Sequence, residues 1–237
     1  MSTPTHPPVA IVTAAGRGIG AGIARELADA GYRLTLFSQG PGIHDLAAEL
    51  GAGAVQGSLT EPDDLARLVD VTLEQHGRID ALVNGAGHAT NGDLLDITDQ
   101  DWHAGLDMVL LSVVRMARLV TPHMTAAGRG AIVNLSSYTA FEPMGAIPLN
   151  SSLRAALSSF TKLYADRYAA AGLRMNSILP GFVDSWPEDP DFLARIPAGR
   201  YATTAEIGKL AAFLVSDNAT YINGESIRID GSAARSL

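Results

Sequence analysis

The segment "PLNSSLRAAL" (148–157) opens a stretch of helical period and places Asn150 and Arg154 four residues apart, on one face. Ser137 stands thirteen residues before Asn150, at the end of an apolar run. A hydroxyl and an amide can both donate to an oxygen that gains negative charge, so Ser137 and Asn150 suit polarising a carbonyl. The amide cannot surrender a proton. Nor can Arg154, whose guanidinium stays protonated at ordinary pH and is better fitted to holding a carboxylate or sugar hydroxyls. Three side chains are candidates for lining a substrate pocket: His88, Tyr138 and Trp186. His88 is of a type suited to proton transfer, with a solvated loop residue as its plainer role. Tyr138 adjoins Ser137 on an extended segment, where neighbours point apart, so packing is its expected role. Trp186 lies in "DSWPEDP", where a large aromatic on a flap could cover an apolar substrate.

A second stretch, "TAAGRGIGAGIA" (13–24), is a glycine-dense turn running into a helix. Gly16, Gly18 and Gly20 allow close approach of backbone, and the unpaired N–H groups and positive dipole end of the helix suit a pyrophosphate. A tight strand-to-helix turn with no ligand has the same pattern.

These residues need a scaffold, and the apolar runs supply one. "VAIVTA" (9–14), "RLTLF" (33–37), "DALVN" (80–84), "GAIVNLS" (130–136), "LRMNSIL" (173–179) and "ESIRID" (225–230) have the length and branched content of buried strands, with "AGAVQ" (52–56) a weaker seventh. Residues 18–30, 63–76, 101–127, 150–171 and 204–216 carry apolar positions at helical spacing between them. The alternation predicts an α/β fold, a doubly wound parallel sheet of about seven strands flanked by helices. The chain reads as one domain over 1–237, with a flexible leader (1–8) and a flap (181–198) over whatever binds at the strand ends.

Composition narrows the classes. The 237 residues are 47% hydrophobic and contain no Cys, which excludes thiolate metal sites, disulfides and a cysteine nucleophile. A net charge of −8 argues against nucleic acid or an anionic membrane as partner. The acids of the flap read as solvated charge, so no metal is expected. "MSTPTHPP" has neither a basic start nor an apolar core, and the cytoplasm is the expected compartment.

"TAAGRGIG" (13–20), "DALVNGAG" (80–87), "GAIVNLSS" (130–137), "MNSILPGFV" (175–183) and "INGESIRIDG" (222–231) together resemble, in order and spacing, the hallmarks of the short-chain dehydrogenase/reductase family. The resemblance implies a Rossmann-type subunit, NAD or NADP over the strand ends, hydride transfer on a small-molecule alcohol or carbonyl, and a homodimer or homotetramer built on the two long helices. Carried onto this chain, it implies cofactor contacts from Thr13, Gly16, Arg17, Gly18, Ile19, Gly20, Ser38, Ser58, Asn84, Ala86, Gly87, Pro180, Gly181 and Val183. Arg17 tilts the expectation toward NADP.

The departures are as informative. Ser137 keeps the family's serine position, but Asn150 and Arg154 replace its Tyr and Lys, and Val109 its Asn. Ala14 replaces the first glycine of the turn, and Ser58 the usual Asp. Three readings follow: an oxidoreductase with an atypical Ser-Asn-Arg site, a catalytically inactive homologue acting as a binding subunit or in a hetero-oligomer with an active relative, and a non-redox enzyme on the same fold that dispenses with the cofactor.

Overall fold

Apolar runs without polar alternation become strands covered on both faces. In the computed structural model, which describes residues 6–236, β1 (Val9–Thr13) is buried at all five positions and β4 (Ala81–Asn84) at all four. With β2 (Arg33–Ser38), β3 (Gly53–Gln56), β5 (Gly130–Leu135), β6 (Leu173–Pro180) and β7 (Ser226–Ile229) they form one seven-stranded sheet, ordered β3-β2-β1-β4-β5-β6-β7 and parallel throughout. Alternate residues of β1 feed opposite cores. Ala10 and Val12 pack with Ile23 and Leu27 of α1 (Gly18–Asp29) and Ile207 and Leu214 of α8 (Thr204–Val215). Ile11 packs on the other face with Leu65 and Leu68 of α3 (Pro62–His76), Met116 and Val120 of α5 (Ser112–Ala127) and Tyr164 of α6 (Pro148–Tyr168).

Several boundaries differ from expectation. A short helix, α2 (Ile43–Leu50), fills the connection between β2 and β3, burying Ile43, Leu46 and Ala47 and ending at Gly51 with φ 61°. The continuous helix expected over 101–127 is α4 (Asp99–Leu106), a π-helical segment (Asp107–Leu111) and α5. Val109, in that segment, is fully buried. Of the leader, residues 1–5 lie outside the described residues, while the Pro8 carbonyl accepts from Arg33 N–H at 2.8 Å, so that end of it is tied to the sheet. The flap is not structureless either. It contains α7 (Pro190–Leu193), Val183 bridges to Ala202, and Phe182 stacks on Phe192 at 4.7 Å, because two aromatic rings bury more surface against each other than in water.

The sheet order reverses between β1 and β4, opening a crevice at their carboxyl ends. Thr13 ties its mouth: Thr13 Oγ1 donates to the Gly85 carbonyl at 3.0 Å and accepts from Gly85 N–H at 2.9 Å.

Candidate active site and nucleotide cradle

The turn after β1 is shaped by what cannot fit in it. A Cβ on Gly16 would sit 2.7 Å from Ser38 Oγ, and one on Gly20 would fall on the Ala14 carbonyl oxygen. Ala14 itself adopts a left-handed conformation, φ 52°, that costs an L-residue about 1 kcal/mol. Arg17 precedes α1 with extended backbone and no side-chain cap, and the first bond within the helix runs from Ala21 N–H to the Arg17 carbonyl. The N–H groups of Gly18, Ile19 and Gly20 therefore meet no side-chain acceptor, and the positive end of α1 is free for an anion. A cavity of about 520 Å³ lies against this end, with Gly16, Arg17 and Gly18 on one wall and Asp184, Ser185 and Thr204 on another. Ser185 was not among the residues expected from the sequence. It approaches Gly18, its Cβ 3.2 Å from where a Gly18 Cβ would be.

Ser38 and Ser58 are committed locally. Ser38 packs its hydroxyl on Gly16, and its carbonyl accepts from Gly57 N–H at 3.1 Å. Ser58 pairs its hydroxyl with Thr60 at 2.8 Å and donates its N–H to Asp64 at 2.8 Å. That N–H, then Arg67, holds the Asp64 carboxyl below its ordinary pKa. At the carboxyl edge of the sheet, Pro180 ends β6, Gly181 N–H bonds the Ile229 carbonyl, and Val183 bridges to Ala202.

Across the crevice, the loop after β4 runs through Ala86 and Gly87 to His88. Asn84 turns inward: its amide donates to Asn134 Oδ1 at 2.9 Å, Asn134 donates to Thr161 Oγ1 at 3.0 Å, and Thr161 meets Ser177 at 2.9 Å. This buried polar chain leaves the loop's backbone, not the Asn84 side chain, to face a ligand.

Ser137 Oγ accepts two bonds, from Thr139 N–H at 3.2 Å and Thr139 Oγ1 at 3.0 Å. With both lone pairs used, its own O–H is left to donate outward. Asn150 is only 4% exposed and is wholly occupied with the loop: its Oδ1 accepts from Ala89 N–H at 3.2 Å and its Nδ2 donates to the Ala89 carbonyl at 3.2 Å. The expected use of this amide, polarising a carbonyl alongside Ser137, is thus displaced by a structural one. An amide presents donor and acceptor side by side, which matches a backbone N–H and C=O on one residue.

Arg154, 6% exposed, donates Nη1 to the Leu135 carbonyl. Burial lowers its pKa to about 10, so it is charged at neutral pH. His88 is exposed, yet the partial loss of water beside its ring, with the Arg154 charge adding to the effect, pushes its pKa below the usual histidine value. Trp186, 61% exposed, stands edge-on to His88 with ring centroids 5.4 Å apart. Tyr138 points elsewhere, donating to Met144 Sδ and packing beside Phe182 at 6.2 Å, in keeping with a packing role. Trp186 thus stands against His88, the Arg154 charge acts on that imidazole, and Asn150 fastens the loop that carries it.

Comparison with known proteins agrees with this fold. The family described as "Enoyl-(Acyl carrier protein) reductase" matches residues 13–232. The chain is 38% identical to Oxidoreductase UcpA of Escherichia coli K12, the match covering 94% of this chain and 93% of that one. It is 34% identical to cis-4-hydroxycyclohexanecarboxylate dehydrogenase of Sinomonas cyclohexanicum, covering 94% and 95%. The crystal structure of L-sorbose reductase from Gluconobacter frateurii, complexed with NADPH and L-sorbose, superposes with a TM-score of 0.88 at 26% identity over 100% of both chains. Sheet order, glycine turn and relatives converge: the chain belongs to the short-chain dehydrogenase/reductase family.

Proposed function

We propose that this protein is an NAD(P)-dependent oxidoreductase acting on a small-molecule alcohol or carbonyl. The observation that carries the reading is the turn at 14–20, where two glycines have no room for a Cβ and the helix beyond has no cap of its own. A left-handed Ala14 is a cost that a turn without a ligand has little reason to bear. The cradle fits a dinucleotide: Gly16, Gly18, Ile19, Gly20 and Ser185 would hold the pyrophosphate, and the exposed Arg17 suits a 2′-phosphate, which favours NADP. Bound there, the nicotinamide would give or take the hydride.

The chain's own residues do the rest. Ser137 donates its free O–H to the substrate oxygen. His88, held neutral, accepts the hydroxyl proton of an alcohol directly or through water, and returns it in the reverse direction. Asn150 is a positioning residue that fixes His88 through Ala89. Trp186 covers the apolar part of the substrate. The relatives named for a hydroxy acid and a sugar both fit this class.

One observation favours the second reading, a catalytically silent homologue: the residue in the acid position is spent on Ala89. Calorimetric titration with NADPH and NADH tests the cofactor, and a screen of carbonyls and alcohols tests turnover. Absence of binding by both nucleotides ends the oxidoreductase reading; binding without any turnover selects the silent homologue. Association as a homodimer or homotetramer through α5 and α6 is part of the proposal, with Leu163 of α6 66% exposed on the isolated chain. Sedimentation equilibrium tests it.

A further inference from the structure

The chain satisfies its other buried charges. Asp80 accepts from Val9 N–H at 2.9 Å and pairs with Arg78 and Arg129. Arg174 donates to three carbonyls, those of Leu214, Ser216 and Ile222. Arg154 is the exception. It is more than nine-tenths buried, its five N–H donors find one carbonyl, and none of the ion pairs among the described residues includes it. An unpaired buried cation is strongly destabilising, so a residue kept in that state signals a partner that arrives from outside.

The partner's chemistry follows from the surroundings. Among the described residues the fully enclosed side-chain atoms without a partner are Thr35 Oγ1, His76 Nε2 and Ser136 Oγ; Arg154 Nε and Nη2, which hold no partner either, are not among them and so keep an edge open to solvent. The carbonyl that Arg154 does hold belongs to Leu135, two residues before Ser137, and its charge is felt at His88. A planar guanidinium edge matches a planar carboxylate by two parallel hydrogen bonds.

We propose that Arg154 binds the carboxylate of the substrate, so that the molecule acts on hydroxy acids or oxo acids whose reacting oxygen lies at Ser137. This rests on the oxidoreductase reading for the reaction but not for the binding. The acid's carboxylate enters as a monoanion and leaves unchanged.

The test titrates the full chain, free and with NADPH, with benzoate and acetate and with their amides, benzamide and acetamide. Each carboxylate is expected to bind at least about tenfold more tightly than its amide, the worth of one or two charge-assisted hydrogen bonds. Arg154→Met is expected to erase that ratio while folding with an unchanged or higher Tm. If it does not fold, Arg154→Lys, which keeps charge but not the fork, should still weaken the preference. Benzoate should also move the titration midpoint of the His88 imidazole, followed by NMR and assigned with His88→Gln, toward higher pH, since it cancels the Arg154 field; benzamide should not. Equal binding of acid and amide, a preference that survives Arg154→Met, or tighter binding of inorganic phosphate than of either carboxylate overturns the proposal. NADPH titrated alone reads the oxidoreductase proposal separately.

Discussion

Two substitutions on opposite walls of the crevice have been accommodated in opposite ways. At position 14 the side chain changed and the backbone did not: Ala14 takes the left-handed conformation that a glycine would take without cost. At position 150, where the resemblance implies a Tyr, the amide instead holds Ala89 in the loop that follows β4. The cradle is a backbone device, enforced by the contact of Gly20 with the Ala14 carbonyl, so it tolerates a new side chain only where the path of the chain survives. The chemical wall is a side-chain device. A new residue there is free to acquire a new function, and Asn150 has acquired one.

The sharpest way to break this contrast is Gly20→Val. A branched side chain pressed onto backbone that cannot move should cost about 3 kcal/mol or more, seen as loss of the folded protein in thermal denaturation. An unaffected Tm would mean the turn is soft and the cradle argument is wrong. Next is Asn150→Ala, which orphans the N–H and C=O of Ala89 and should cost about 2 kcal/mol, with faster hydrogen exchange confined to the loop that follows β4. The paired change Asn150→Tyr with Arg154→Lys sets the chemical wall against the loop it holds. It should raise carbonyl reduction by about 10²- to 10⁴-fold, the usual worth of a general acid, only if the loop yields its hold on residue 150. If stability falls without any gain in rate, the loop has won. Ala14→Gly should do the reverse of Gly20→Val, relieving the left-handed strain and raising stability by about 1 kcal/mol in urea denaturation.

What the sequence revealed divides along the same line. The strands were legible because runs such as "VAIVT" are buried on both faces and so carry no polar alternation. The glycine turn was legible because backbone requirements show as residue types. α2 was hidden by its eight-residue length and by the Gly-Pro-Gly before it, which reads as loop. Asn150 was legible as a position but not as a contact: its partner lies 61 residues away, and a backbone N–H and C=O leave no mark in a sequence. Ser185 was missed for a related reason, since only the fold brings it to Gly18. The flap's order is equally non-local, resting on rings ten residues apart at Phe182 and Phe192.

The smallest effect concerns the imidazole that the chemical wall holds. His88 has a folded-state pKa below its unfolded one, near 6.5, so the unfolded chain binds the proton more readily. Its contribution to stability is full above about pH 6.5 and is lost as pH falls through the lower folded value. His88→Gln should therefore flatten the acid side of the Tm-against-pH curve while leaving Tm at pH 8 unchanged. Arg154→Met should flatten it in part, because burial of the ring contributes more to the depression than the guanidinium does. A curve that Arg154→Met leaves untouched would mean that the two groups do not feel each other, and His88 would then belong to the loop alone.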